Sequence, residues 1–123
     1  MRTSITVPRA LILSANGRVH WRTRHRNTKQ LRLLGLAHGR RDLTPTTQRV
    51  KIDVDVWKPR AGRYDPANLY PTVKALVDGI TDAGIWEDDD HAHVDGPHLH
   101  HGGVDRELTG LIRFDLTIET AGV

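Results

Sequence analysis

The residues that could do chemistry are carboxylates: Asp65, then Asp78, then the consecutive Asp88, Asp89 and Asp90. Like charges in a run repel one another unless water or a cation screens them. Magnesium is a hard ion that takes oxygen ligands and needs only one or two carboxylates when a phosphate completes its shell. Such an ion can polarise a phosphodiester, activate an attacking water and stabilise the leaving oxygen. Taken alone, Glu87 to Asp90 reads first as a solvated turn, and only its conjunction with the motif upstream reverses that reading. Asp53 and Asp55 alternate with Val50, Ile52, Val54 and Val56 and belong to the polar side of a strand. Lys74 stands four residues before Asp78 and can simply pair with it on a helix.

Charge is distributed unevenly. Residues 1–63 carry 15 Lys/Arg against 3 Asp/Glu, and residues 64–123 carry 3 against 12. The asymmetry implies a basic surface for a polyanion and a separate acidic feature. The cluster Arg18, Arg22, Arg24 and Arg26 suits phosphate, whose oxygens match the guanidinium fork. Lys29, Arg60 and Arg63 extend that set. Trp21 either stacks on an unpaired base or caps the core from a loop. Cysteine is absent, which excludes disulfides and thiolate metal sites. Neither a signal peptide nor a membrane-length apolar run is visible, so a cytoplasmic protein is expected, nucleoid-associated when bound to DNA. His91 and His93, and His98 and His100, alternate as strand pairs, read first as a surface hairpin and second as a transition-metal site.

These residues must be positioned by one domain, residues 1–123. Ile5 to Leu13 reads as strand broken by Pro8, with a turn at Ser14-Ala15-Asn16-Gly17 and an irregular basic loop over 18–26. A first helix is expected from a cap at Asn27 or Thr28 to Gly39, and a second from Pro71 to Ala83, ended by Gly84. Val50–Trp57 is the cleanest strand, 91–101 a hairpin, and Leu111–Ile118 a final strand with Ile112, Phe114, Leu116 and Ile118 inward. The fold class is α+β: a small mixed, largely antiparallel sheet with two helices packed on one face.

The stretch Arg63-Tyr64-Asp65-Pro66-Ala67-Asn68-Leu69, continuing through Lys74-Ala75-Leu76-Val77-Asp78 to Asp88-Asp89-Asp90, resembles the RusA-type Holliday-junction resolvases. Their pattern is Arg-Asp-x-Asp-Asn-Leu, a helical Lys-x-x-x-Asp, and a paired Asp. The resemblance covers most of the chain. It implies a RusA-like homodimer that binds four-way junctions in double-stranded DNA and nicks them symmetrically with magnesium, or manganese in its place. It implies Asp65, Asp89 and Lys74 as catalytic, Asp65, Asp78, Asp88, Asp89 and Asp90 as the metal-ligand set, and Asn68 with Trp21 in support. There are two departures. Ala67 replaces the motif's second aspartate, and about three extra residues at 70–72 precede the helix. The first leaves open a junction-binding protein with weak or no cleavage.

Overall fold

The computed structural model describes residues 1–120. Strand β1 spans Arg2–Pro8, helix α1 Trp21–Asp42, strand β2 Val50–Lys58, helix α2 Tyr70–Asp82, strand β3 Val94–Val104 and strand β4 Leu111–Thr120, with short 3-10 turns at Arg9–Leu11 and Pro66–Leu69. The sheet order is β1-β4-β2-β3. β4 runs antiparallel to both β1 and β2, whereas β3 runs parallel to β2. Parallel neighbours need a crossover, and α2 supplies it.

One face of the sheet is buried throughout. Ile5 sits opposite Phe114 and Val54 opposite Leu116, and these side chains have no exposure. Leu31 of α1 and Val73, Leu76, Val77 and Ile80 of α2 join the same core, so both helices cover that face. The other face carries polar residues, with Asp53 accepting a hydrogen bond from His100 (3.0 Å). Asp53 and Asp55 are half-buried there rather than fully solvated.

Two elements depart from the sequence expectation, α1 at both ends and β3. Helix α1 starts six residues before Asn27, so Arg22, Arg24 and Arg26 are helical and not in a loop. His20 is its cap, accepting from the Arg22 N–H (3.2 Å). Asn27 is buried and donates to the Ala10 carbonyl (2.9 Å), while the Thr28 hydroxyl bonds back to Arg24 (2.8 Å). Gly39 does not end the helix; it is buried against Ala83 and Ile80 of α2. The 91–101 hairpin is absent: 94–104 is one edge strand. Gly96-Pro97 marks a break in register against Lys51 and Asp53 of β2, not a chain reversal. Proline is tolerated on an edge, where one ladder bond can be forgone.

The helices cross with their backbones almost touching. A Cβ placed on Gly35 would stand 2.0 Å from the Leu76 carbonyl oxygen, and one on Gly79 2.0 Å from that of Arg32. Only glycine permits this approach, and it sets the faces of α1 and α2 that flank the acidic residues.

Candidate functional site

Helix α2 is held by its apolar stripe, which leaves Lys74 and Asp78 half-buried at its margin. Gly84, at φ +79°, ends the helix. Ile85 and Trp86 are then buried, and the Trp86 indole donates to the Thr81 hydroxyl (2.7 Å). That anchor turns the chain back along α2, so that Asp89 meets Lys74. The Lys74 ammonium donates to Asp78 Oδ1 (2.6 Å) and also to Asp89 Oδ2. Side-chain exposures of 39%, 26% and 25% for Lys74, Asp78 and Asp89 leave the group open on one side.

The electrostatics are those of two carboxylates sharing one cation. Burial, and then the neighbouring Asp89, raise the Asp78 carboxyl above its usual range. Asp89 is held at about 2, by its contact with Asp78 and by Lys74. The pair titrates jointly, Asp78 taking the first proton. Burial opposes the charge on Lys74, but the two hydrogen-bonded carboxylates outweigh it and raise the ammonium.

Asp78, Asp88 and Asp89 line a hollow of about 280 Å³ with Thr81, Asp82 and Arg32. Arg32 reaches it from α1 and grips Asp82 through two bonds of 2.9 Å. Sequence reasoning missed Arg32, because only the helix crossing puts it beside these aspartates. Asp65 lies elsewhere. Its Oδ1 accepts from the Ala67 N–H (3.0 Å) and so caps the turn before α2. With Asn68, Tyr64, Arg9 and Lys58 it lines a separate hollow of about 350 Å³. Asp90 turns away to the His93 Nδ1 (2.5 Å).

The residues at 70–72 form the first turn of α2, and Thr72 has a structural task. Its buried hydroxyl accepts from the Leu13 N–H (2.8 Å) and donates to the Leu13 carbonyl (2.7 Å). The Ala15 N–H donates to the Asn68 carbonyl (2.8 Å). These bonds fix the Ser14–Asn16 turn against the Asp65 loop.

Arg22, Arg24, Arg26 and Lys29 are exposed on α1, as is Arg18 before it, and Arg60 and Arg63 are exposed in the β2–α2 loop. Trp21 does not cap the core. It is 67% exposed, stacked on His20 with ring centres 5.8 Å apart and with the Arg22 guanidinium 5.3 Å from its own.

Among the described residues, no three or more His, Asp or Glu side chains converge as a metal-binding group. Asp78 and Asp89 nonetheless fit a hard divalent ion by donor chemistry: two adjacent carboxylates on an open hollow with Asp88 at its rim. Two protein carboxylates suffice for magnesium when water and phosphate fill the remaining positions. No family model matches this chain, and no curated protein matches it either.

Proposed function

We propose that this chain is a magnesium-dependent endonuclease for branched DNA, a Holliday-junction resolvase that acts as a homodimer on nucleoid DNA in the cytoplasm. The observation that carries this reading is Lys74 bridging Asp78 and Asp89, which line an open hollow, with α1, the bearer of the exposed arginines, packed against α2.

In this reading Asp78 and Asp89 hold magnesium, or manganese in its place, with Asp88 reaching in from the rim. When bound, the ion supplies the charge that polarises a phosphodiester and activates water. Lys74, relieved of part of its ion pairing, donates a hydrogen bond to the oxygen that gains charge as the P–O bond breaks. Asn68, in the separate hollow of Asp65, donates to the strand, and Arg22, Arg24, Arg26 and Lys29 contact phosphates of the arms. Trp21, exposed and already stacked, offers a face to an unpaired base. Two subunits related by a two-fold axis present two equivalent sites to a junction of matching symmetry.

A second reading has its own observation. Asp65 is committed to the Ala67 N–H and lines a different hollow from Asp78 and Asp89. With Ala67 in place of an aspartate, the protein would then bind junctions with weak or no cleavage. A synthetic four-way junction incubated with magnesium or with EDTA separates the two. Paired symmetric nicks that disappear in Asp89→Asn, with binding retained, support the nuclease. Binding without nicks in magnesium or manganese selects the second reading. Equal affinity for linear and branched DNA removes the resolvase assignment.

A further inference from the structure

A second charged feature lies at the opposite end of β2 from the helix crossover's return. Arg9 follows β1, Lys58 closes β2, Arg60 sits in the next loop, and Arg106 lies in the turn between β3 and β4. These four cations, from three stretches of the chain, together wall two adjoining hollows of about 340 and 240 Å³. The second of these shares Arg9, Lys58 and Ile112 with the hollow that contains Asp65 and Asn68. The three hollows thus form a row with shared walls, a trough basic at one end and with Asp65 at the other.

The frame is fixed by backbone bonds. The Arg9 N–H donates to the Gly110 carbonyl (3.1 Å), and the Asp105 N–H to the Lys58 carbonyl (2.8 Å). The Lys58 ammonium sits 3.9 Å from the centre of the Tyr64 ring. Tyr64 is itself held by His101 through its hydroxyl (2.7 Å). Asp105, a carboxylate on the frame, is already engaged by Arg113 (2.7 Å) and by the Glu107 N–H (3.0 Å). Glu107, in the same turn, is exposed and has no ion-pair partner among the described residues. Among the described residues, none of the four cations has a carboxylate within salt-bridge distance. Gathering unneutralised like charges opposes folding. Their convergence on one trough is accounted for by an anion from outside the chain.

We propose that Arg9, Lys58, Arg60 and Arg106 form a phosphodiester-backbone site that leads a DNA strand into the Asp65 hollow. The proposal rests on the nuclease reading and deepens it, by saying where the protein grips the strand apart from the hollow of Asp78 and Asp89. An open trough through adjoining hollows suits a polymer of phosphates, whereas a single small anion would leave most of the cations unused. Backbone contacts of this kind set register without reading sequence.

The test is the salt dependence of binding to a short linear DNA duplex by Arg9→Gln/Arg60→Gln/Arg106→Gln. Each lost phosphate contact reduces the log–log slope by about 0.9, so the triple variant should lose roughly 2 to 3 of slope. At about 0.1 M salt that corresponds to a loss of roughly two orders of magnitude or more in affinity. The lysine triple at the same positions should keep most of the slope. If the glutamine triple fails to fold, Arg106→Gln alone should lower the slope by about 0.9. An unchanged slope in the trough variant, alongside a reduced one in Arg22→Gln/Arg24→Gln/Arg26→Gln, overturns the trough and leaves the nuclease reading standing. Wild-type protein that binds no DNA at any salt removes both. Pyrophosphate binding to the trough without duplex binding reassigns it to a free anion and also overturns the proposal.

Discussion

Replacing Gly79 by alanine sets two physical effects against each other. Alanine is favoured over glycine in a helix interior by about 1 kcal/mol, so propensity alone predicts stabilisation. The added methyl, however, would stand 2.0 Å from the Arg32 carbonyl oxygen and 2.8 Å from the Leu36 nitrogen. Both are backbone atoms, so no rotamer change relieves the clash. The helices must separate by about an ångström, loosening Leu31, Leu76 and Ile80 in the core. Overpacking typically costs about 1–3 kcal/mol, and a rigid neighbour places this case at the upper end. The net expectation is a loss of about 2 kcal/mol, or a fall in Tm of roughly 8 °C for a domain of this size. Thermal unfolding followed by circular dichroism reads it. A Tm equal to or above that of the wild type would refute the close crossing, and with it the route by which Arg32 reaches Asp82.

Three further perturbations test separate parts of the structure. Asp89→Asn should abolish junction nicking while leaving junction affinity within about twofold, compared by gel assays of cleavage and of binding. Thr72→Val keeps the shape of the side chain but strips both partners from the Leu13 backbone, at about 2–4 kcal/mol for two buried unsatisfied groups; urea denaturation measures it, and a loss under 1 kcal/mol would show that water replaces the hydroxyl. Asp42 is held well below the usual carboxylate range by Arg41, then by the Thr3 hydroxyl. A depressed folded pKa gives stability that is complete above the unfolded value near about 3.9 and is lost as pH falls through the folded one. Asp42→Asn should therefore flatten the acid side of the stability curve, read by urea midpoints across that range, and an unchanged curve would exclude the Asp42 contribution.

What could be read in the sequence follows from where burial is one-sided. β2, β4 and α2 each set an apolar face against the core, so Val50 to Val56, Ile112 to Ile118 and the stripe through Val73 and Ile80 show their periods openly. Helix α1 hides its period. Its buried positions recur every four residues, but they are Asn27, Leu31, Gly35 and Gly39, only one of them a large apolar side chain. Close approach of backbones, not side-chain volume, is what buries that face. β3 is obscured similarly, because an edge strand with Gly96, Pro97 and three exposed histidines offers little alternation. Lys74 and Asp78 were legible as neighbours on a helix. That Asp89 joins them, and Asp65 does not, depends on the anchoring of Trp86 and on the cap at Ala67. The Asp65-Pro66 pair marks its own cap in the sequence, whereas the Trp86 anchor leaves no local mark.

The uneven charge of the two halves admits a simple alternative, that they neutralise one another on folding. The structure answers it. Of the Lys and Arg residues in the first 63 positions, Arg32 alone pairs with a carboxylate from the second half among the described residues. Arg41 and Lys51 pair locally, with Asp42 and Asp53. The acidic half likewise spends its own cations on itself, Lys74 on Asp78 and Asp89, and Arg113 on Asp105 and Asp115. Folding thus leaves the basic excess facing solvent on α1 and around the Arg9–Arg106 trough. A fold that wanted only stability had carboxylates enough to quench these charges. Kept apart, the two signs fit a surface that holds a polyanion with one and a cation with the other.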